Sequence, residues 1–596
     1  MRMKEKRGQI AALETKNNFT KIRELKKALR SNGQGYLNGK PISFLLSKWN
    51  ETYEYTDGIT VRFVPLNYKY PANVAMYINM DAELFGMDAE EIKRYPVFFE
   101  DYLLRCYSDL LENLSEKYTA NNKLERLLSI IQCQTPDCRV MRRSGMLYNK
   151  EEQTFVLKLF VLFPTGAGVS ILGERISRMI TDILKVVEEG STFLDKMELQ
   201  KRLNVYKKQA ALRAFCRKNG YVAFVADGSV LPRRGDSEEP IEGAIPFLSP
   251  ERLRVEVPME DGIKLLGMGI PKGITLITGA GFSGKTTLLE AIEAGIYNHV
   301  PGDGREFVVA EESLMTTNAE DGRYVANEDI SMFFSDIPFQ DIRNFTTKHA
   351  SGSISQATNI IEALAGGSCL LTIDEDKSAT NFMIRDELMR KIVKDEVIIP
   401  FTDRVRSITE QKQVSTILVI GGSGEYLKIA DTVILMHQYV ATDVTEKVKA
   451  LNLPVLEGAY PISKESERTV LLPGEGTKSL LLQTVCTEDS KKVICGEHSA
   501  DMTAISSLKT NEQLHSLAWI LRSLLAKEEE SEERLNSIGE EYADRLFAAL
   551  EKEQMSSNPL CRNWWFAEIR KEEILMCVNR ARGICFSGVG VEKKGT

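Results

Sequence analysis

Residues 279–286 read GAGFSGKT, a complete G-x-x-x-x-G-K-[ST] octet, and these residue types in this order suit a polyphosphate. Backbone N–H groups of such a loop surround phosphate oxygens, and the helix that follows adds its positive dipole end. Gly279, Gly281, Ser283 and Gly284 make the loop, with Thr287 at the helix start. Lys285 would reach the β- and γ-phosphates, and the Thr286 hydroxyl would ligate Mg²⁺. A plain glycine turn has no use for Lys285 and Thr286. CLLTIDED (369–376) is an apolar run ending in carboxylates. Asp374 there would hold Mg²⁺ through water, and Glu375 would orient or deprotonate an attacking water. These residues call for ATP and Mg²⁺ as cofactors.

The elements around them have the required form. ITLIT (274–278) is a strand-type run and TTLLEAIEAG has helical spacing, so the octet joins a strand to a helix. ASGSISQ (350–356) resembles the LSGGQ signature of ABC-type ATPases, and Ala350 precedes Asp374 by 24 residues, as in that class. In ABC ATPases this segment of one subunit closes over the γ-phosphate held by the other. Ser351, Gly352 and Ser353 fit that role, since small residues at a helix N-terminus allow close approach and offer N–H donors. The alternative is an ordinary Ser/Gly helix cap. EDKSATN (375–381) resembles the E-x-x-S-A-L-D run, with Asn381 in place of the usual Asp.

Several positions depart from the pattern. Ile354 stands at the signature glutamine, with Gln356 two places later. After the strand STILVIGGSGEY (415–426), Gly422 occupies the place of a switch histidine; Ser423 beside it is the candidate γ-phosphate contact. Gln340, in SDIPFQD, is the candidate sensor of Mg²⁺ and the nucleophile. Phe247 is the nearest upstream aromatic that could stack on adenine.

The chain of 596 residues has room for two to four domains, and its 43% hydrophobic and 27% charged residues are ordinary for a globular protein. The expected fold class is α/β: an ABC-type P-loop core (236–450), a basic helical arm (1–30), an N-terminal α+β domain (31–235) and a C-terminal α+β domain (451–596). LPRRGDSEEPIEGAIP (231–246) is the linker candidate. Net charge is −8, yet residues 1–30 carry ten Lys/Arg against three Glu. Lys201, Arg202, Lys207, Lys208, Arg213, Arg217 and Lys218 form a second cationic stretch. Such segregation suits a polyanion, single-stranded RNA first among them; a solvated amphipathic helix is the alternative. The ten cysteines show no C-x-x-C pair, as expected of reduced cytoplasmic thiols. TFVLKLFVLF (154–163) is too short to span a bilayer, so no membrane association is expected.

GIPKGITLITGAGFSGKTTLL, HVPGDGREFVV, ASGSISQATNIIEAL, LLTIDEDKSATNFMIRD, GYVAFVADGSVLPRRG and EIRKEEILMCVNRARG together resemble the ATPases of the ABC class found in bacteria and some protists. The resemblance implies a soluble homodimeric ATPase with its own flanking domains, and a kinetoplastid RNA-processing relative implies RNA binding. GDGRE and VADGSVLPR read first as turns; Arg305, Arg233 and Arg234 could instead face a phosphate. Arg385 and Asp386 read as an ion pair. Two functional readings follow. One is an enzyme whose subunits close on two ATP molecules and open after hydrolysis. The other is a nucleotide-gated binding module with negligible turnover. Glu375 favours the first, the missing histidine the second.

Overall fold

In the computed structural model the described residues are 20–30, 42–49, 51–67, 69–125, 129–166, 170–192, 194–235, 237–385, 387–393, 396–453, 462, 468–472, 482–487, 489–526, 531–555 and 564–587. The chain forms two compact units, residues 1–200 with 547–567 and residues 201–546 with 568–596. These cuts differ from the expected boundaries at 235 and 450. Among the described residues, no helix is long and apolar enough to cross a membrane.

The first unit is built on a mainly antiparallel sheet. Ile59–Pro65, Asn73–Asp81 and Thr154–Leu162 pair side by side at its centre. Thr154–Leu162 is the apolar run of the sequence, and burial along nearly its whole length explains why it does not alternate with polar residues. Its one cation, Lys158, donates to the Trp564 carbonyl (3.3 Å) and lies over the Trp565 ring. Of the expected basic arm, residues 1–19 lie outside the described residues. Ile22–Arg30 is not a free arm but a helix with Ile22, Leu25 and Leu29 buried. Its last turn approaches Gly173 so closely that a Cβ there would stand 1.9 Å from the Leu29 carbonyl oxygen.

The second unit holds a six-stranded sheet in the order Met315–Thr316, Leu370–Asp374, Ser415–Val419, Ile274–Gly279, Thr432–His437, Val440–Asp443. All neighbours are parallel except the last pair. Beside it lies an antiparallel sheet of Arg254–Pro258, Lys264–Pro271, Tyr221–Ala226 and Val308–Ala310. Val222, Ala223 and Val225 share one core with Ile277, Leu288 and Ile292. That shared core is why 221–235 belongs to this unit rather than to an N-terminal domain.

The expected linker is pinned, not free: Leu231 is buried in that core, and Val230 N–H bonds the Gly304 carbonyl (2.8 Å). The VADGSVLPR and GDGRE blocks lock each other. Arg233 and His299 both meet Asp303 Oδ2 at 2.8 Å, and Arg305 donates to the Leu231 carbonyl (2.9 Å). Burial opposes ionisation of Asp303, but His299 and Arg233 outweigh it and hold the carboxyl below its usual range. Burial, reinforced by Arg233, lowers Arg305 to about 10. Both blocks are therefore structural turns here.

The segment expected as a separate C-terminal domain is divided between the units. Thr469–Leu472 pairs with Ser531–Arg534 and Cys585–Ser587, all in the second unit. A buried ion cluster ties this part to the signature helix. Arg580 donates to Glu320 (3.2 Å) and Asn359 (2.9 Å), Arg323 pairs with Glu362, and Arg468 pairs with Glu328 (2.6 Å). Three arginines face three glutamates, so the groups match in number. Burial together with Glu362 pushes Glu328 up, against the pull of Arg468.

Candidate functional site

The strand Ile274–Gly279 lies between Ser415–Val419 and Thr432–His437, so the octet leaves the middle of the sheet at its carboxyl edge. Gly279 has φ +146°, and a Cβ there would stand 2.2 Å from the Met436 carbonyl oxygen. Gly284, at φ +98°, caps the helix Lys285–Ala294. Both positions therefore need glycine. Phe282 bears its ring fully into solvent with φ +59°. Lys285 Nζ donates to the carbonyls of Gly279 and Ala280, each at 2.9 Å, which spans the loop with the ammonium and leaves one N–H for a ligand. The Ser283 hydroxyl is buried and has no hydrogen-bond partner among the described residues.

Asp374 ends the next strand but one. Its Oδ2 faces the Thr286 hydroxyl at 3.5 Å, and its Oδ1 accepts from Asp376 N–H (3.1 Å). A hydroxyl and a carboxylate converging beside a phosphate loop are hard oxygen donors of the type Mg²⁺ takes, so the expected metal ligands fit the ion. Glu375 follows, and its Oε2 accepts from the N–H groups of Gly421 (2.6 Å) and Gly422 (2.9 Å). That loop is fixed by Tyr426, whose buried hydroxyl donates to the Met383 carbonyl (2.7 Å). Burial first, and the Glu375 charge next, push the Tyr426 phenol well up, so it stays neutral.

Ser351 is the N-cap of the helix Gly352–Ala365, its side chain accepting from Ile354 N–H (3.5 Å). Ser351 is exposed, with Gly352 and Ser353 beside it in the first turn. Within this one chain, phosphate loop, Asp374 and Glu375 converge through the sheet. Ser351–Ser353 begin a different helix, and among the described residues no hydrogen bond joins them to the loop. Ser423 accepts from Glu425 N–H (3.2 Å) in the loop that carries Gly421 and Gly422.

Two expected residues stand elsewhere. Gln340 occupies an exposed turn, its N–H on the Ile337 carbonyl (3.1 Å), beside Phe339 at φ +66°. The side chain next to Asp374 is Asn318, just past the strand Met315–Thr316, whose Oδ1 accepts from Asp374 N–H (3.4 Å). Strand order decides this: Met315–Thr316 is the neighbour of Leu370–Asp374, and the segment containing Gln340 is not. Phe247 is buried in the core and cannot stack on a base. Arg385 pairs with Glu396 and Asn381 (3.3 Å); Asp386 lies outside the described residues. In the cationic helix, Arg213 is buried against the carbonyls of Ala310 (2.9 Å) and Gly295 (2.8 Å), Lys208 pairs with Asp261 and Arg217 with Glu312.

Sequence reasoning noted Gln356 only as misplaced. It is fully buried and joins three segments: its Nε2 donates to Thr317 O (3.1 Å) and Ser378 Oγ (2.9 Å), and its Oε1 accepts from Ala379 N–H (2.9 Å). Tyr439 was missed as well. Its N–H bonds the Ser283 carbonyl (3.1 Å), and its ring would lie 3.1 Å from a Cβ at Gly284. The signal available was the Gln-Tyr pair at a hairpin turn, where glycine and asparagine are usual.

A central parallel sheet carrying a phosphate loop, a paired Asp-Glu strand end and a signature-type helix cap defines an ABC-type P-loop ATPase domain. Residues 25–193 match a family model described as the N-terminal domain of ATPases of the ABC class, and residues 195–469 match the ABC_ATPase P-loop domain. The chain belongs to the ATPases of the ABC class. An uncharacterized protein of Methanocaldococcus jannaschii is 32% identical over 252 residues, which is 40% of this chain and 55% of that protein. The chain thus spans about half the length of this curated relative. A solved structure of cbiO1 from Clostridium perfringens, part of the ABC transporter complex cbiONQ, is 14% identical with a TM-score of 0.23, over 39% of this chain and 92% of that one.

Proposed function

We propose that this chain is an Mg-ATP-hydrolysing enzyme that works as a homodimer, each nucleotide held between the Lys285 loop of one copy and Ser351–Ser353 of the other. The observation that carries it is the convergence of Lys285, Thr286, Asp374 and Glu375, with an exposed Ser351 cap elsewhere on the surface. Mg²⁺, held by Thr286 and through water by Asp374, would neutralise charge on the β- and γ-phosphates. Lys285 binds those phosphates, and Glu375 takes a proton from the attacking water. The test is subunit mixing. Lys285→Ala and Ser351→Arg should each be inactive alone, and their mixture should regain one intact composite site. No recovery on mixing refutes the shared site.

The second reading is a nucleotide-gated binding module, and Gly422 at the place of a switch histidine is what favours it. Wild-type turnover no faster than that of Glu375→Gln would decide for it. As partner we propose single-stranded RNA or another polyanion, supported by the cationic residues 1–30. The helix 201–218 gives less support, because several of its cations have internal partners. Fluorescence anisotropy with labelled RNA and DNA at low and high salt tests this. A deletion should stop at residue 19, since Ile22–Arg30 is packed. A cytoplasmic location belongs to the same proposal and rests on the scattered cysteines of the sequence, which form no C-x-x-C pair.

A further inference from the structure

We propose that the main-chain amides of Gly421 and Gly422 position Glu375 as the hydrolytic base, and that glycine at 422 is required because a side chain there would displace the carboxylate. The inference rests on the ATPase reading above. Both amides bond the same oxygen, Oε2, at 2.6 and 2.9 Å. Charge-assisted bonds of this kind fix a carboxylate in one rotamer. A Cβ built on Gly422 would stand 3.2 Å from Oε1, the other oxygen, and 3.7 Å from Oε2. The space a side chain would take is therefore the approach to Oε1, the oxygen left to accept a proton from water.

The glycines are not there for backbone reasons. Neither Gly421 nor Gly422 has a left-handed φ, so other residues could adopt the conformation. Space is the remaining requirement. The loop is also held at both ends, by Ile420 N–H on the Ile277 carbonyl (3.0 Å) and by Tyr426 on Met383. It faces the phosphate loop, because a Cβ on Gly421 would lie 3.8 Å from Lys285 Nζ. The absence of a histidine at this place then has a positive meaning. The two amides hold the base, and a histidine side chain at 422 would crowd the carboxylate they hold.

The experiment compares Gly422→Ala, Gly422→His and the control Gly424→Ala, whose Cβ would meet only Leu427 Cδ1 at 4.0 Å. Steady-state ATP hydrolysis and calorimetric ATP binding are measured on the full chain. A Cβ 3.2 Å from Oε1 makes the carboxylate give by a few tenths of an ångström, and a misplacement of about 1 Å would cost roughly 100-fold in rate. Gly422→Ala should therefore lose kcat by several-fold and the bulkier Gly422→His by up to roughly 100-fold, with ATP affinity unchanged, while Gly424→Ala behaves as wild type. Retained ATP affinity also shows that the variants fold. In a Glu375→Gln background, Gly422→Ala should add no further loss. Wild-type kcat in Gly422→Ala, or a gain in Gly422→His, overturns the inference alone. So does a parallel loss of ATP affinity. No turnover in the wild type overturns the ATPase reading and this inference with it.

Discussion

Replacing Gln356 with leucine should loosen the contact between the signature helix and the loop after Asp374. The side chain is 0% exposed, and its amide makes bonds of 2.9–3.1 Å to Thr317, Ser378 and Ala379. Leucine keeps the approximate volume and removes all three. Each bond is worth about 1 kcal/mol, and the orphaned Thr317 carbonyl adds about 1 kcal/mol or more of desolvation. Ser378 keeps its bond to the Asp374 carbonyl (2.7 Å) and adds little. The sum is about 3–4 kcal/mol. Hydrogen exchange resolved by peptide is the assay, because it reads one unit of a two-unit chain. Amides of Gly352–Ala365 should exchange roughly 150-fold faster or more, at about 1.4 kcal/mol per decade. Amides of the helix Pro96–Glu125, in the first unit, should not change. Acceleration below about fivefold, or an equal effect in both helices, would refute the reasoning.

Lys285→Ala should weaken ATP binding by about 2–3 kcal/mol, the size of a hydrogen-bonded charge contact; unchanged affinity by calorimetry would remove the site assignment. Arg580→Met leaves Glu320 and Asn359 without their buried cation, at a cost of about 3–5 kcal/mol, and adding Glu320→Gln should recover part of it in thermal unfolding. Asp303→Asn should destabilise at neutral pH. The folded carboxyl lies below the ordinary range of an aspartate, so its contribution is present above that range and fades as pH falls through the lower folded value. Denaturation of wild type and variant at pH 7 and at about pH 3 should show the gap narrowing, and a gap independent of pH counts against the pairing of Asp303 with Arg233 and His299. Asn318→Ala should weaken Mg²⁺ dependence more than Gln340→Ala does, because only Asn318 meets Asp374; the reverse order would restore Gln340 to the site.

By itself the sequence determined what is local. The octet 279–286, the strand ending in Asp374 and Glu375, and the Ser351 cap each lie within one strand, turn or helix start. Their chemistry follows from backbone N–H groups, side-chain type and spacing of a few residues, which neighbours along the chain can specify. The ion cluster, the locked GDGRE and VADGSVLPR turns and the division into two units join residues about 40 to 260 positions apart, and no local pattern encodes which carboxylate an arginine will meet. Gln340 shows the difference most plainly. Gln340, in SDIPFQD, is the sequence's candidate sensor, but strand order places Met315–Thr316 against Leu370–Asp374 and so brings Asn318 to Asp374. Glu375 shows it at the site itself. Sequence supplied a base beside the metal ligand, whereas the neighbouring parallel strand supplied the Gly421–Gly422 amides that hold it. Pairing between strands depends on burying the whole apolar sheet, so only the tertiary structure could decide which backbone groups reach that carboxylate.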